Sequence, residues 1–379
     1  MRRPMLFNLV VVMLVLFTSL NTEAHLQSSA YLTLQTSASS VAGEWQLALR
    51  DLDDAVGLDA NDDGAITWSE LLSHKDAVCA YAFSRLHVCS GGQAGVLHLT
   101  DFLVDNLSDG AYAVLRFKVE KLNQPKDLEL SYNAFFDIDP KHRGLLRLEQ
   151  DGKSRLAVFS PATATQTFKL GVSAPPTPFL TFLKEGVWHI WTGYDHILFL
   201  LALLLPGVLR LQNGTWQPVT AARPALINLL KIVTAFTVAH SITLSLAALG
   251  IIHLPSRLVE SAIAASVVLA AFNNLKPFFA ERCWMVAFGF GLLHGFGFAN
   301  ALRDLGLQSG QLAATLFGFN LGVEIGQLAI VAVFFPVALS LRQWFFYQPI
   351  VLRCSSKAIM LIASTWLAER ILDFKWLPF

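Results

Sequence analysis

Four histidines and three carboxylates of this chain lie where water is scarce. His189, His196, His240, His294, Asp195, Glu260 and Glu324 all sit within long apolar runs. An unpaired imidazole or a charge in such a run is costly, so each needs a partner or a ligand. Spacing suggests which. His189 and His196 stand at i and i+7 with Gly193 between them, so an unbroken helix would put both rings on one face, beside Asp195. Asn320, Glu324 and Gln327 repeat the i, i+4, i+7 pattern in a later run. Neutral imidazole with carboxylate suits nickel, cobalt, zinc, iron or copper(II), and the absence of thiolate or Met from the set disfavours copper(I). Thr243, Ser266, Asn320 and Gln327 are the polar neighbours that would orient such ligands.

Six apolar stretches must position these groups: 187–209, 225–250, 257–275, 284–302, 311–341 and 357–372, each predicted as a spanning helix. At about 1.5 Å per residue, His196, His240, His294 and Asn320 fall roughly 12–15 Å below the outer edge, Glu324 slightly deeper, and His189 and Glu260 nearer the mouth. Helices of opposite direction thus bring imidazoles and carboxylates to one level. The predicted centre is His196, His240 and His294, with Asp195 and Glu324 as ligands or their supports. His189 and Glu260 would capture the ion at the entrance. The glycines around His294 permit close helix approach. Arg210, Arg223, Lys276, Arg282, Arg342, Arg353 and Lys357 flank one side of the six stretches, against Arg257 and Arg303 on the other. The positive-inside rule then places the N-terminal region and the C-terminus outside an inner (cytoplasmic) membrane.

Composition agrees with a lipid-bilayer partner. Only 15% of the 379 residues are charged and 54% are hydrophobic, which excludes a disordered chain. The balance of 28 Lys+Arg against 28 Asp+Glu excludes a nucleic-acid partner held by a basic surface. Residues 1–24, with Arg2, Arg3 and an apolar run to Leu20, read as a signal peptide. Cleavage after Ala24 would leave His25 as a terminal amine-plus-imidazole chelator. Residues 25–172 are predicted to form an exported β-rich, sandwich-like domain, with strands at 31–34, 113–119, 128–136 and 156–159. A linker, 173–186, carries Pro175, Pro176 and Pro178 into a six-helix membrane bundle, 187–379.

The soluble half holds one further motif. Residues 59–70 fit the EF-hand calcium loop, with side-chain oxygens from Asp59, Asn61 and Asp63, the Ala65 carbonyl, Thr67 directly or through water, and a chelating Glu70. Gly64 supplies the sharp turn. A single copy suits a structural brace better than a sensor. Cys79 and Cys89 fall in the exported region, where an oxidising compartment permits a disulfide, whereas Cys283 and Cys354 fall on the reducing side.

The stretches 189–196, 236–243, 291–299 and 319–327 together resemble the HupE/UreJ family of hydrogenase- and urease-associated membrane proteins, in the branch with a large exported N-terminal region. The resemblance covers residue 180 to the end. It implies nickel binding by His189, Asp195, His196, His240 and His294, and nickel or cobalt permeation. The calcium loop and β-rich domain depart from the shorter members. A divalent-metal permease is the favoured reading, with an extracytoplasmic metal donor as a partner. The expected metal is nickel, cobalt or zinc; a membrane-embedded metal-dependent hydrolase acting near the outer leaflet is the alternative, as is a metal-dependent sensor or assembly factor. No catalytic residue is assigned.

The calcium loop generates a first prediction. Carboxylates converge poorly without a cation, so calcium should raise the melting temperature of the detergent-purified chain. Excess ligand at ~100 Kd contributes about 2.7 kcal/mol. Glu70→Gln should erase the difference between calcium and chelator. Equal melting temperatures in the unsubstituted protein would refute calcium binding there.

Overall fold

The computed structural model describes residues 28–37, 40–61, 63–107, 110–122, 125–151, 153–171, 179–252, 254–279, 282–297 and 309–372. The predicted signal peptide, His25, the three linker prolines and Arg303 lie outside these residues.

The N-terminal half is β-rich. It runs β1 (Ser29–Thr36), β2 (Val41–Ala48), α1 (Leu49–Val56), α2 (Trp68–Ser73), α3 (Lys75–Arg85), β3 (Leu86–Ser90), β4 (Gln93–Ala94), β5 (Val96–Leu107), β6 (Gly110–Glu120), β7 (Asp127–Tyr132), β8 (Arg143–Gln150), β9 (Lys153–Phe159) and β10 (Thr165–Lys169). One sheet has the order β5-β6-β2-β1-β8-β9 and the other β10-β7-β3-β4. Only β1 and β8 pair in parallel; the other pairs are antiparallel. Alternation along the strands explains the packing. Leu32, Leu34, Leu115, Phe117, Leu146 and Leu148 point to a core shared with Leu86, Val88, Leu128 and Leu130 of the second sheet. The strand expected over 128–136 stops at Tyr132, because Phe135 adopts a φ of 61 in the turn that follows.

The opposite face of the large sheet is apolar too. Tyr31, Leu145 and Val158 form a cross-strand row. With Ala48 and Tyr112 they pack on Phe182, Ile190, Leu244, Leu312, Leu316 and Phe319 of the helical half. The two halves therefore share a core. Polar contacts add to it. Ser154 donates to Gln311 at 2.8 Å, Arg143 pairs with Glu185 at 3.4 Å, and the Lys141 ammonium sits 4.0 Å over the Tyr194 ring.

The helical half comprises α4 (Phe179–Thr192), α5 (Tyr194–Leu204), the hairpin β11 (Leu209–Gln212) and β12 (Thr215–Pro218), α6 (Ala222–Ala248), α7 (Ser256–Leu275), α8 (Cys283–His294), α9 (Ser309–Leu341) and α10 (Ser355–Leu372). A π-helical stretch, Tyr347–Cys354, leads into α10. Among the described residues, four helices are long and apolar enough to cross a bilayer, and α4 with α5 makes a fifth if that bent pair counts as one span. The chain is thus a multi-pass membrane protein.

Three expectations change here. The first helix begins at Phe179 rather than 187, because Lys184 and Glu185, which look like linker charges, lie in its outer turns, where Glu185 meets Arg143. It is also broken: α4 and α5 meet at Gly193 with a bend of 69°. The fourth apolar stretch yields only the short helix α8 among the described residues. The Cys79–Cys89 disulfide is absent as well, since both are free thiols. Cys79 lies on α3 against the β core, where burial pushes its thiol up, and Cys89 is held in β3, paired on both sides.

A buried polar chain locks the start of β8. Ser28 donates to Asp51 at 2.6 Å and accepts from His142 Nδ1, while Tyr132 donates to His142 Nε2 at 2.7 Å. Burial, reinforced by the Arg143 and Arg50 charges, pushes the His142 imidazole down to about 3. The neutral ring is therefore native, and the unfolded chain binds the extra proton below the ordinary value. Stability should be intact above pH 6.5 and fall as pH drops toward 3, by about 2 kcal/mol at pH 5 from this residue. His142→Gln should flatten the melting-temperature profile between those limits. An unchanged slope would show that His142 does not drive the acid loss.

Candidate metal centre

The helical half is drawn together by small residues. A Cβ on Gly186 would lie 2.1 Å from the Phe319 carbonyl oxygen, so α4 and α9 touch backbone to backbone. Gly291 and Gly295 do the same for α8 against α6, where a Cβ would lie 2.4 Å from the Phe236 and His240 carbonyl oxygens. The predicted close approach at His294 is therefore present. Gly193 is also constrained, since a Cβ there would sit 2.9 Å from His196 Nδ1 and 3.1 Å from Asp195 Oδ1. The break at this residue turns Asp195 and His196 back beneath His189.

Five predicted residues meet at this level. His189, His196 and His240 offer ligand atoms within 4.8 Å of one another, as do Asp195, His196 and His294. His196 belongs to both groups and links them, whereas His240 and His294 fall in different groups, so the predicted trio of His196, His240 and His294 is not one three-ligand set. Ring centroids are 4.6 Å apart for His189 and His196, and 5.1 Å for His196 and His294. Phe199, Phe236 and Phe319 wall the rings with apolar surface.

Hydrogen bonds decide which nitrogen each ring presents. His196 Nδ1 donates to Asp195 Oδ1 at 3.0 Å. His240 Nδ1 faces Asn320 Oδ1 at 3.4 Å, and because Asn320 Nδ2 donates to the Leu316 carbonyl, that oxygen is the acceptor. His294 Nε2 lies 3.0 Å from Ser266 Oγ, whose own proton goes to the Ile263 carbonyl, so the ring is again the donor. The remaining atoms, His196 Nε2, His240 Nε2 and His294 Nδ1, are buried and without a hydrogen-bond partner among the described residues. A buried imidazole that bonds outward through one nitrogen and leaves the other bare is the form in which metal-ligating histidines are held. The donor set fits a borderline transition metal.

Other predicted residues sit elsewhere. Glu260 pairs with Arg370 at 3.2 Å and is not part of either histidine group. Glu324 accepts from Thr234 at 2.9 Å, below the centre. Gln327 accepts from Thr237, and Thr243 bonds the Ala239 and His240 carbonyls and packs against Gly295 rather than touching a ring. Of the four predicted supports, Ser266 and Asn320 do orient imidazoles. Sequence reasoning missed Gly193 as a helix break, although a glycine inside a helical pattern was a visible signal. It also missed the phenylalanine wall.

The 59–70 segment turns at Gly64, whose φ is 79. Asp59, Asn61 and Asp63 carboxylate or amide oxygens accept loop N–H groups. Glu70 accepts from the Thr67 N–H and hydroxyl, which hold its carboxyl below the ordinary range and cap α2.

Residues 165–370, more than half of the chain and inclusive of the whole histidine centre, match the family described as HupE / UreJ protein. No curated protein matches the chain.

The tautomer assignment predicts graded losses. His196→Ala, His240→Ala or His294→Ala should abolish retention of nickel or cobalt by the purified protein. Ser266→Ala should weaken it by about 10–100-fold. Elemental analysis after desalting measures both, and retention by all four variants at the unsubstituted level would dismiss the centre.

Proposed function

The chain belongs to the HupE/UreJ family, and we propose on that premise that it is a divalent-metal permease, with nickel or cobalt as cargo. The observation that carries this reading is the pair of ligand groups, His189 with His196 and His240, and Asp195 with His196 and His294, joined at His196, in which three buried ring nitrogens are bare. They would replace water around an ion in transit, while Asp195 offsets its charge at the edge of the set. His189 would pass the ion inward from the mouth. A transport site must release as well as bind, and a mixed imidazole–carboxylate set with an Asp195 side chain 34% exposed suits that better than a closed structural cage.

In this reading the membrane part has six spans, with α4 and α5 as one bent span and α8 as a short one. The β-rich domain faces outward after loss of the signal peptide, in an inner membrane. It roofs the mouth through Lys141 and Arg143, braced by calcium at 59–70, and receives metal from an extracytoplasmic donor. The hydrolase reading uses the same ligand groups around an activated water, and it is the alternative that the experiment separates.

Sealed vesicles containing the protein should take up nickel or cobalt along its gradient. His294→Ala should slow the initial rate by about tenfold or more. Metal retention without flux in either direction would discard the permease and favour a hydrolase or sensor.

A further inference from the structure

Below the histidine centre, away from the β-rich domain, the seam between α6 and α9 stays polar. On α6, Thr234, Thr237, Ser241 and Ser245 recur at i, i+3, i+7 and i+11; on α9, Asn320, Glu324 and Gln327 face them. The pairing is direct. His240 meets Asn320, Thr237 donates to Gln327 at 2.9 Å, and Thr234 donates to Glu324 Oε1 at 2.9 Å. At the β-domain end, Ser241, Ser245 and Asn320 line a groove of about 420 Å³ together with Leu312, Leu316 and Phe317. One polar stripe thus runs from that groove, past His240, to Glu324.

Hydrogen bonding between helices accounts for Gln327 and Asn320, whose amides are suited to it. It does not account for Glu324. A glutamine would accept the Thr234 hydroxyl equally well, without a charge in an apolar layer. Instead the carboxylate keeps Oε2 buried with no hydrogen-bond partner, and among the described residues no cationic side chain pairs with it. An intramembrane carboxylate left in this state calls for a cation. Along α9 it lies about 6 Å beyond Asn320. That is too far to join the histidines and near enough to follow them.

We propose that Glu324, with the Thr234 hydroxyl, is a second cation station, distinct from the histidine centre and next to it on the path toward the far side. Resting on the permease reading, this gives the ion an exit. Imidazoles hold a transition metal tightly. A single carboxylate with a hydroxyl holds a largely hydrated divalent ion weakly, and weak binding is what release requires. The station should accept oxygen-preferring ions, manganese(II) among them, which the imidazole centre favours least.

The test uses full-length, detergent-purified protein with manganese(II), followed by the loss of its free-ion electron paramagnetic resonance signal. In a His196→Ala, His294→Ala, Glu70→Gln background, which also disables the proposed calcium loop, one weak manganese site should remain. Adding Glu324→Gln should weaken it by about tenfold or more, and Thr234→Val should weaken it less. With the histidines intact, Glu324→Gln should still retain nickel as tightly as the unsubstituted protein, which also reports that it folds, while nickel flux into vesicles falls by about tenfold. Manganese binding indifferent to both substitutions would overturn the station. Loss of tightly held nickel in Glu324→Gln would overturn it too, by making Glu324 part of the histidine centre. If manganese binding depends on Glu324 but no variant, nor the unsubstituted protein, shows flux, the station stands and the permease reading falls.

Discussion

A ring nitrogen with no hydrogen-bond partner costs free energy in a dry interior, and this protein buries three of them in two ligand groups that share His196. Each imidazole of His196, His240 and His294 spends one nitrogen on Asp195, Asn320 or Ser266 and leaves the other buried and bare. The outer bonds are what make the inner lone pairs available, because they fix both tautomer and ring angle. Bringing His196 beside both His240 and His294, on three different helices, needs backbones closer than side chains normally permit. The glycines at 186, 291 and 295 meet that need, each facing a carbonyl where a Cβ would clash. The bend at Gly193 completes it by folding Asp195 and His196 under His189.

The β-rich half is tied to this centre by packing. Its larger sheet buries one face in its own core and the other against α4, α6 and α9. The same segment that carries Lys141 and Arg143, which rest on Tyr194 and Glu185, is anchored from within by the Ser28, Asp51, His142 and Tyr132 chain. A sheet with two apolar faces explains why β1 is buried along most of its length, where a free-standing sandwich would leave one face wet.

The carboxylates sort by what lies opposite them. Asp195 stays with the histidines because it is the neighbour of one. Glu260 is drawn to Arg370 and becomes an ion pair between α7 and α10. Glu324 finds only a hydroxyl. Three acids that look alike in the chain thus become a hydrogen-bond partner of His196, a structural ion pair and a carboxyl group with one oxygen unpartnered.

Much of this was legible before any coordinates. Apolar runs long enough to span a bilayer, alternating strands, the ligand types and their shared depth all follow from local chemistry and a constant rise per residue, which the chain carries on its own. Ser266 and Asn320 were legible as supports for the same reason, since a polar group at that depth needs a partner. The facing direction of each helix was not. Rotation and approach are set by which side chains interlock with another helix, so the partners of Glu260 and Glu324, the break at Gly193, the outer turns of α4 and the separation of Cys79 from Cys89 were decided only by tertiary packing. The fused core of the two halves belongs with these, because Tyr31 and Leu145 read as the outward face of a strand until α4 and α9 cover them.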